Sequence, residues 1–206
     1  MKKTVIEYVC WGNIVRSSTY EAVTQYVAER DGLQVVAVSS GLHVERWNFK
    51  QFAPNEIEFF LNETLKLEQV LSHVPAYKPV FSDIKEALRL PLDAPDEKLL
   101  SLTARLRKIF EGYNARLRQE ALLLRGVEFF GVPKQTVRRG DVDVVIPMAE
   151  RDVPAVEAIY KQTPIVAVST FGNEPAGFGY TLEAHLANVD LAFEHVPRII
   201  DYVHTV

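Results

Sequence analysis

Two kinds of hydrophobic pattern divide the chain. The first is the short β-branched run: 4–9 (TVIEYV), 33–40 (LQVVAVSS), 141–147 (DVDVVIP) and 163–170 (TPIVAVST) are rich in Val and Ile and show little apolar/polar alternation. Such runs suit parallel strands covered on both faces. The second pattern is helical. Apolar positions at turn spacing predict helices over roughly 18–30, 55–67, 151–161 and 181–204, the last broken or kinked near Pro197. Strands alternating with helices predict an α/β doubly wound sheet, whose ligand sites lie at the carboxyl ends of the strands.

One region departs from that alternation. Over 96–126 (DEKLLSLTARLRKIFEGYNARLRQEALLLRG), Leu99, Leu102, Leu106, Ile109, Phe110, Tyr113 and Leu117 recur at near-helical spacing. Pro91 and Pro95 precede the pattern and GVPKQTVRRG (131–140) ends it. This predicts a helical insertion at about 80–140 within a single domain spanning 1–206. With 206 residues, 48% of them hydrophobic and 24% charged, the chain can bury a sizeable core. Its net charge of −4 opposes general binding to nucleic acid. No apolar run reaches the length of a membrane span, the N-terminus lacks a signal peptide's apolar core, and one cysteine cannot close an internal disulfide. The expectation is a cytoplasmic chain with neither membrane nor nucleic-acid partner. Its oligomeric state is not written in any of these patterns. The five histidines (His43, His73, His185, His195, His204) show no paired metal-ligand spacing, so neither metal nor cofactor is expected.

The lone thiol, Cys10, ends the first strand run in VCWGNIVRSS. A loop leaving a parallel strand and opening a helix turns its amides inward, which stabilises anions. The amides of Trp11, Gly12, Asn13, Ile14 and Val15 would hold phosphate oxygens against the thiol. Arg16 would grip two of those oxygens with its planar fork. Gly12 permits close backbone approach, Asn13 tolerates a left-handed conformation, and Ser17 can donate to the thiolate. A lone Cys-x5-Arg spacing is weak by itself; the strand before it, the Gly-Asn inside it and the helix beyond sharpen it.

At these residues the chain resembles the low-molecular-weight protein tyrosine phosphatases, whose signature is Val-Cys-x-Gly-Asn-Ile-x-Arg-Ser. The likeness continues through EAV (21–23), VSSG (38–41) and DVDVVIPMAERD (141–152), with Ala149 where the family has aspartate and Ser18 where many members have proline. It implies a four-stranded parallel sheet of order 2-1-3-4 flanked by helices, here with the helical insertion before strand 3. It also implies hydrolysis of a phosphomonoester, on a phosphorylated protein or a small aryl phosphate, as a protein tyrosine phosphatase acting through a cysteinyl-phosphate intermediate. Cys10 is then the nucleophile and Arg16 the phosphate ligand. The family's acid comes from an Asp-Pro pair after the fourth strand, and TFGNEPAGFGY (170–180) offers Glu174-Pro175 instead. Asp190 and Glu183 are weaker candidates. Trp11, Trp47, Phe178 and Tyr180 leave the carboxyl ends of strands and would form a slot deep enough for a phenyl ring. The alternatives are arsenate reduction with an external thiol and a non-catalytic phosphate-binding module.

Overall fold

Steric crowding of β-branched side chains favours extended backbone, and three of the Val/Ile runs pair accordingly in the computed structural model. The structure describes residues 3–44, 54–89, 96–129, 141–177 and 179–205. Strand β1 (Thr4–Cys10) pairs in parallel with β2 (Val35–Gly41), from Thr4 opposite Val35 to Cys10 opposite Gly41. Strand β3 (Val144–Pro147) joins the other side of β1, with Ile6 opposite Val144 and Val9 opposite Pro147. The sheet order is β2-β1-β3. Both faces are covered, as the continuous apolar runs require. Ile6, Tyr8, Val144 and Ile146 pack with residues of helices α1 (Arg16–Arg30) and α6 (Leu182–Val203), while Val9 and Val145 pack with Val156 and Tyr160. Val156 lies in α5 (Val153–Ile159).

The expected fourth strand shortens to a single parallel bridge between Val145 and Ile165. Val145 donates to Pro164 O at 2.9 Å, and Val166 donates to Val145 O at 3.1 Å. In a parallel ladder alternate residues bond to the same neighbour, so the next donor on that side would be residue 147. Pro147 has no N–H. The ladder stops there, and the chain turns into a short 3-10 helix at Val168–Phe171. The described sheet therefore has three strands, with the fourth run lying beside β3.

Helix α6 runs unbroken through Pro197, so of the expected break or kink the break does not occur. Pro197 is exposed, whereas Val196, Ile199, Ile200 and Val203 beside it are buried in the core. Burial of those side chains offsets the one missing hydrogen bond.

The chain divides into two compact units, Met1–Val44 with Asn114–Val206, and Glu45–Tyr113. The second contains α2 (Pro54–Leu71) and α3 (Lys78–Leu88), whose Leu67, Leu71, Phe81 and Ile84 are buried. Helix α3 was hidden in the pattern by Pro79, which reads as a breaker yet sits in the helix's first turn, where proline costs no hydrogen bond. Helix α4 (Asp96–Leu124) gives its last turns, from Asn114 onward, to the first unit, where Ala121 and Leu122 enter the core. No described helix is long and apolar enough to cross a membrane.

Candidate active site

Strand β1 delivers Cys10 to the carboxyl edge of the sheet, and α1 begins only six residues later at Arg16. The intervening loop folds back over the thiol. Asn13 N–H donates to Cys10 Sγ at 3.2 Å, and Ser17 Oγ lies 3.1 Å from the same sulfur. Asn13 has φ 52, the left-handed conformation that an asparagine adopts more readily than a branched residue. Its side chain fixes the turn by donating to Ser17 Oγ at 3.0 Å and Ser39 Oγ at 2.8 Å. Ser39 in turn donates to Glu21 Oε2 at 2.5 Å, so a buried chain of hydrogen bonds runs from the loop into α1 and β2. Helix α1 has no side-chain cap and no acidic residue in its first turn. Its leading amides and positive dipole end are therefore uncompensated by a carboxylate, as an anion site requires.

Gly41 at the end of β2 lies against this loop. A Cβ there would sit 2.7 Å from Val44 Cγ2, 2.9 Å from Asn13 N and 3.0 Å from Gly12 C. Backbone cannot yield as a side chain can. Gly41→Ala is expected to destabilise the protein by about 1–3 kcal/mol through overpacking and to lower activity more than a distant substitution of equal cost. A thermal melt and an initial-rate assay on the same sample check it.

Arg16 is buried, and its guanidinium is anchored at the β3 edge, where Nη1 donates to Met148 O at 3.2 Å. Its Nη2 lies 3.9 Å from Asp152 Oδ2, an oxygen that is buried without a hydrogen-bond partner. Burial pushes the Asp152 carboxyl above the usual carboxylate range, against the opposing pull of Arg16, Arg151 and His43, with Glu174 adding to the upward shift. Asp152 was not singled out from sequence, although it closes the stretch DVDVVIPMAERD; the short helical turn Glu150–Asp152 brings it to Arg16 past the alanine at 149.

Glu174 is exposed and its Oε1 accepts from Glu150 N–H at 2.7 Å. It thereby stands beside the turn that carries Asp152. Trp11 stacks on His43, with ring centroids 5.1 Å apart and planes inclined by 46°, and His43 N–H donates to Trp11 O at 2.9 Å. His43 is a ring neighbour of Trp11 that the sequence pattern did not reveal. Tyr180 is half-buried just ahead of α6, while Trp47 and Phe178 lie outside the described residues. The structure thus gathers Cys10, Asn13 and Ser17 around the sulfur, while the Arg16 guanidinium is held by Met148 O and lies near Asp152. Gly12, Ile14 and Val15 form the backbone of the same loop, all three buried.

Residues 5–78 match the family model of low molecular weight phosphotyrosine protein phosphatase. Comparison with curated proteins finds no match. Among solved structures, Wzb from Vibrio vulnificus in complex with benzylphosphonate is similar at a TM-score of 0.56 and 14% identity, over 99% of each chain. A low molecular weight protein tyrosine phosphatase from Bacillus subtilis gives 0.54 and 15%, over 98% of each. The YwlE arginine phosphatase, a Bacillus subtilis protein seen there with a phosphorylated active site serine, gives 0.54 and 14%, over 98% of this chain and 96% of that one. The fold is shared along the whole chain and the sequence likeness is concentrated at its start, where the thiol loop lies: the family this chain resembles is that of the low molecular weight phosphotyrosine protein phosphatases.

Proposed function

We propose that the protein is a cytoplasmic phosphomonoester hydrolase of the tyrosine phosphatase type, acting through a cysteinyl-phosphate intermediate. The observation that carries this reading is the loop Cys10–Arg16, in which one backbone N–H and one hydroxyl already converge on the sulfur. The Cys10 thiolate attacks phosphorus, forming the S–P bond as the P–O bond to the phenolate breaks. Arg16 and the amides from Trp11 to Arg16 hold the equatorial oxygens as charge spreads over them. Glu174 gives its proton to the leaving oxygen, then takes one from the water that releases inorganic phosphate from sulfur. Ser17 donates to the thiolate as it departs. All of these residues belong to one compact unit.

Selectivity for an aryl ester follows from the rim. We assign Trp11, propped by His43, and Tyr180 to the walls of a slot for the aryl ring. Trp11→Ala is expected to raise KM for phosphotyrosine peptides about tenfold while leaving inhibition by inorganic phosphate nearly unchanged, because ring and anion occupy separate subsites. Steady-state kinetics on phosphotyrosine, phosphoserine and phosphoarginine peptides test the whole reading. Comparable efficiency on phosphoserine sinks the slot, and preference for phosphoarginine would reassign the substrate while keeping the nucleophile. Absence of turnover on every phosphorylated substrate, with phosphate still bound, would favour a binding module.

A further inference from the structure

Loop atoms other than those that meet the sulfur are in contact with a buried arginine. Arg118 of α4 donates from Nη1 to Ile14 O at 2.7 Å and to Ser18 Oγ at 2.6 Å. Ser18 Oγ itself lies 3.0 Å from Ile14 O and 3.1 Å from Val15 O, so the two donors brace the same turn of backbone. Arg118 is 8% exposed, its guanidinium carbon lies 5.8 Å from the centre of the Phe129 ring, and its Nε has no hydrogen-bond partner. Among the described residues no carboxylate pairs with it directly. Burial lowers its pKa to about 10, opposed by the nearby Glu21 carboxylate, so it stays cationic at neutral pH. Glu21 is itself shared with Ser39 and Gln25.

A cation in that place is costly for stability alone, since an apolar side chain of similar volume commonly serves a core better. Its geometry supplies another reason. The peptide bonds of the described chain are all trans, so a carbonyl turned toward Arg118 turns the Val15 N–H the opposite way. We propose that Arg118 is a positioning residue of the phosphate loop: it fixes the Ile14–Val15 peptide with its N–H toward the bound anion and holds a positive charge behind the phosphate dianion. This rests on the phosphate reading of the loop. Arg118 touches no substrate and acts through the Ile14 carbonyl and through its field.

The test uses the full chain and three substitutions, Arg118→Met, Arg118→Gln and Arg118→Lys, with melting temperature, kcat, KM and inhibition by inorganic phosphate measured for each. Arg118→Met removes the charge without leaving Ile14 O unpaired, because Ser18 still bonds it. Its melting temperature is expected to hold or rise while phosphate inhibition weakens about tenfold, the scale of two unit charges about 12 Å apart at an effective dielectric of about 20. Arg118→Gln, which keeps an N–H donor for Ile14, loses a similar factor. Arg118→Lys restores inhibition to within about threefold of the parent. A Met or Gln variant that keeps the parent's phosphate inhibition overturns the proposal, whatever its stability, and so does a Lys variant as weak as the neutral ones. If phosphate fails to inhibit the parent protein itself, the phosphate reading of the loop falls, and this inference with it.

Discussion

Replacing Cys10 with serine is expected to lower turnover of p-nitrophenyl phosphate on the order of 10⁴-fold or more while inorganic phosphate still binds. Cys10 is 3% exposed and its sulfur lies within reach of Asn13 N–H and Ser17 Oγ, so a serine hydroxyl fits the same space and keeps the loop closed. Chemistry, not shape, is what the substitution removes. A serine hydroxyl stays protonated near neutral pH, and the described loop places no general base against it comparable to the histidine of hydrolases that use serine. The proposed anion subsite consists of loop amides and Arg16, which the substitution leaves in place. Initial rates and isothermal titration with phosphate decide it together. Residual turnover within tenfold of the parent rules out Cys10 as nucleophile, and loss of both turnover and phosphate binding means that the serine variant has lost the loop.

That loop was legible because its chemistry is nearly contiguous. The proposed nucleophile, the tight turn, the amides proposed to hold the anion and the Arg16 guanidinium all come from seven residues, Cys10 to Arg16, so spacing alone suggests the site once a strand precedes and a helix follows. The residues that sequence reasoning missed meet the loop only through the fold. Arg118 reaches Ile14 across 104 positions, and Arg16 meets the Met148 carbonyl across 132. Nothing local distinguishes Arg118 from the other charges of α4, whose pattern suggested an inserted helix rather than a contribution to the site. The missing ladder beyond β3 has the same origin. Pro147 stands in plain view, yet its effect depends on which neighbour its absent N–H would have faced, and only the pairing of β1 with β3 settles that. Pro197 and Pro79 show the converse. Each looks like a break, but one is exposed on a helix whose opposite face is buried and the other occupies a first turn.

Two carboxylates now compete for the role of proton donor, and leaving-group dependence separates them. Glu174→Gln is expected to slow phenyl phosphate on the order of 10²- to 10³-fold but p-nitrophenyl phosphate about tenfold or less, because an acidic phenol departs without a proton. The accessible position of Glu174 suits it to meet a substrate oxygen, and the Glu150 N–H holds one of its oxygens. Asp152 is buried beside Arg16 and better placed to orient that guanidinium than to reach a leaving group. Asp152→Asn should therefore lower kcat/KM by a similar factor on both esters, about tenfold, with weaker phosphate inhibition as the sign that Arg16 has moved. Stability separates the two further. The Asp152 carboxyl is shifted upward in the folded chain, so the folded state holds its proton more tightly than the unfolded one. Stability from this group is fully present below the ordinary carboxylate pKa and is lost as pH rises through the shifted value. Asparagine does not ionise, so the Asp152→Asn variant should gain melting temperature relative to the parent as pH rises from about 4 to 7, even as it loses activity. If instead Asp152→Asn shows the steep leaving-group dependence and Glu174→Gln does not, the proton donor is Asp152, and Glu174 serves to hold the turn that carries it.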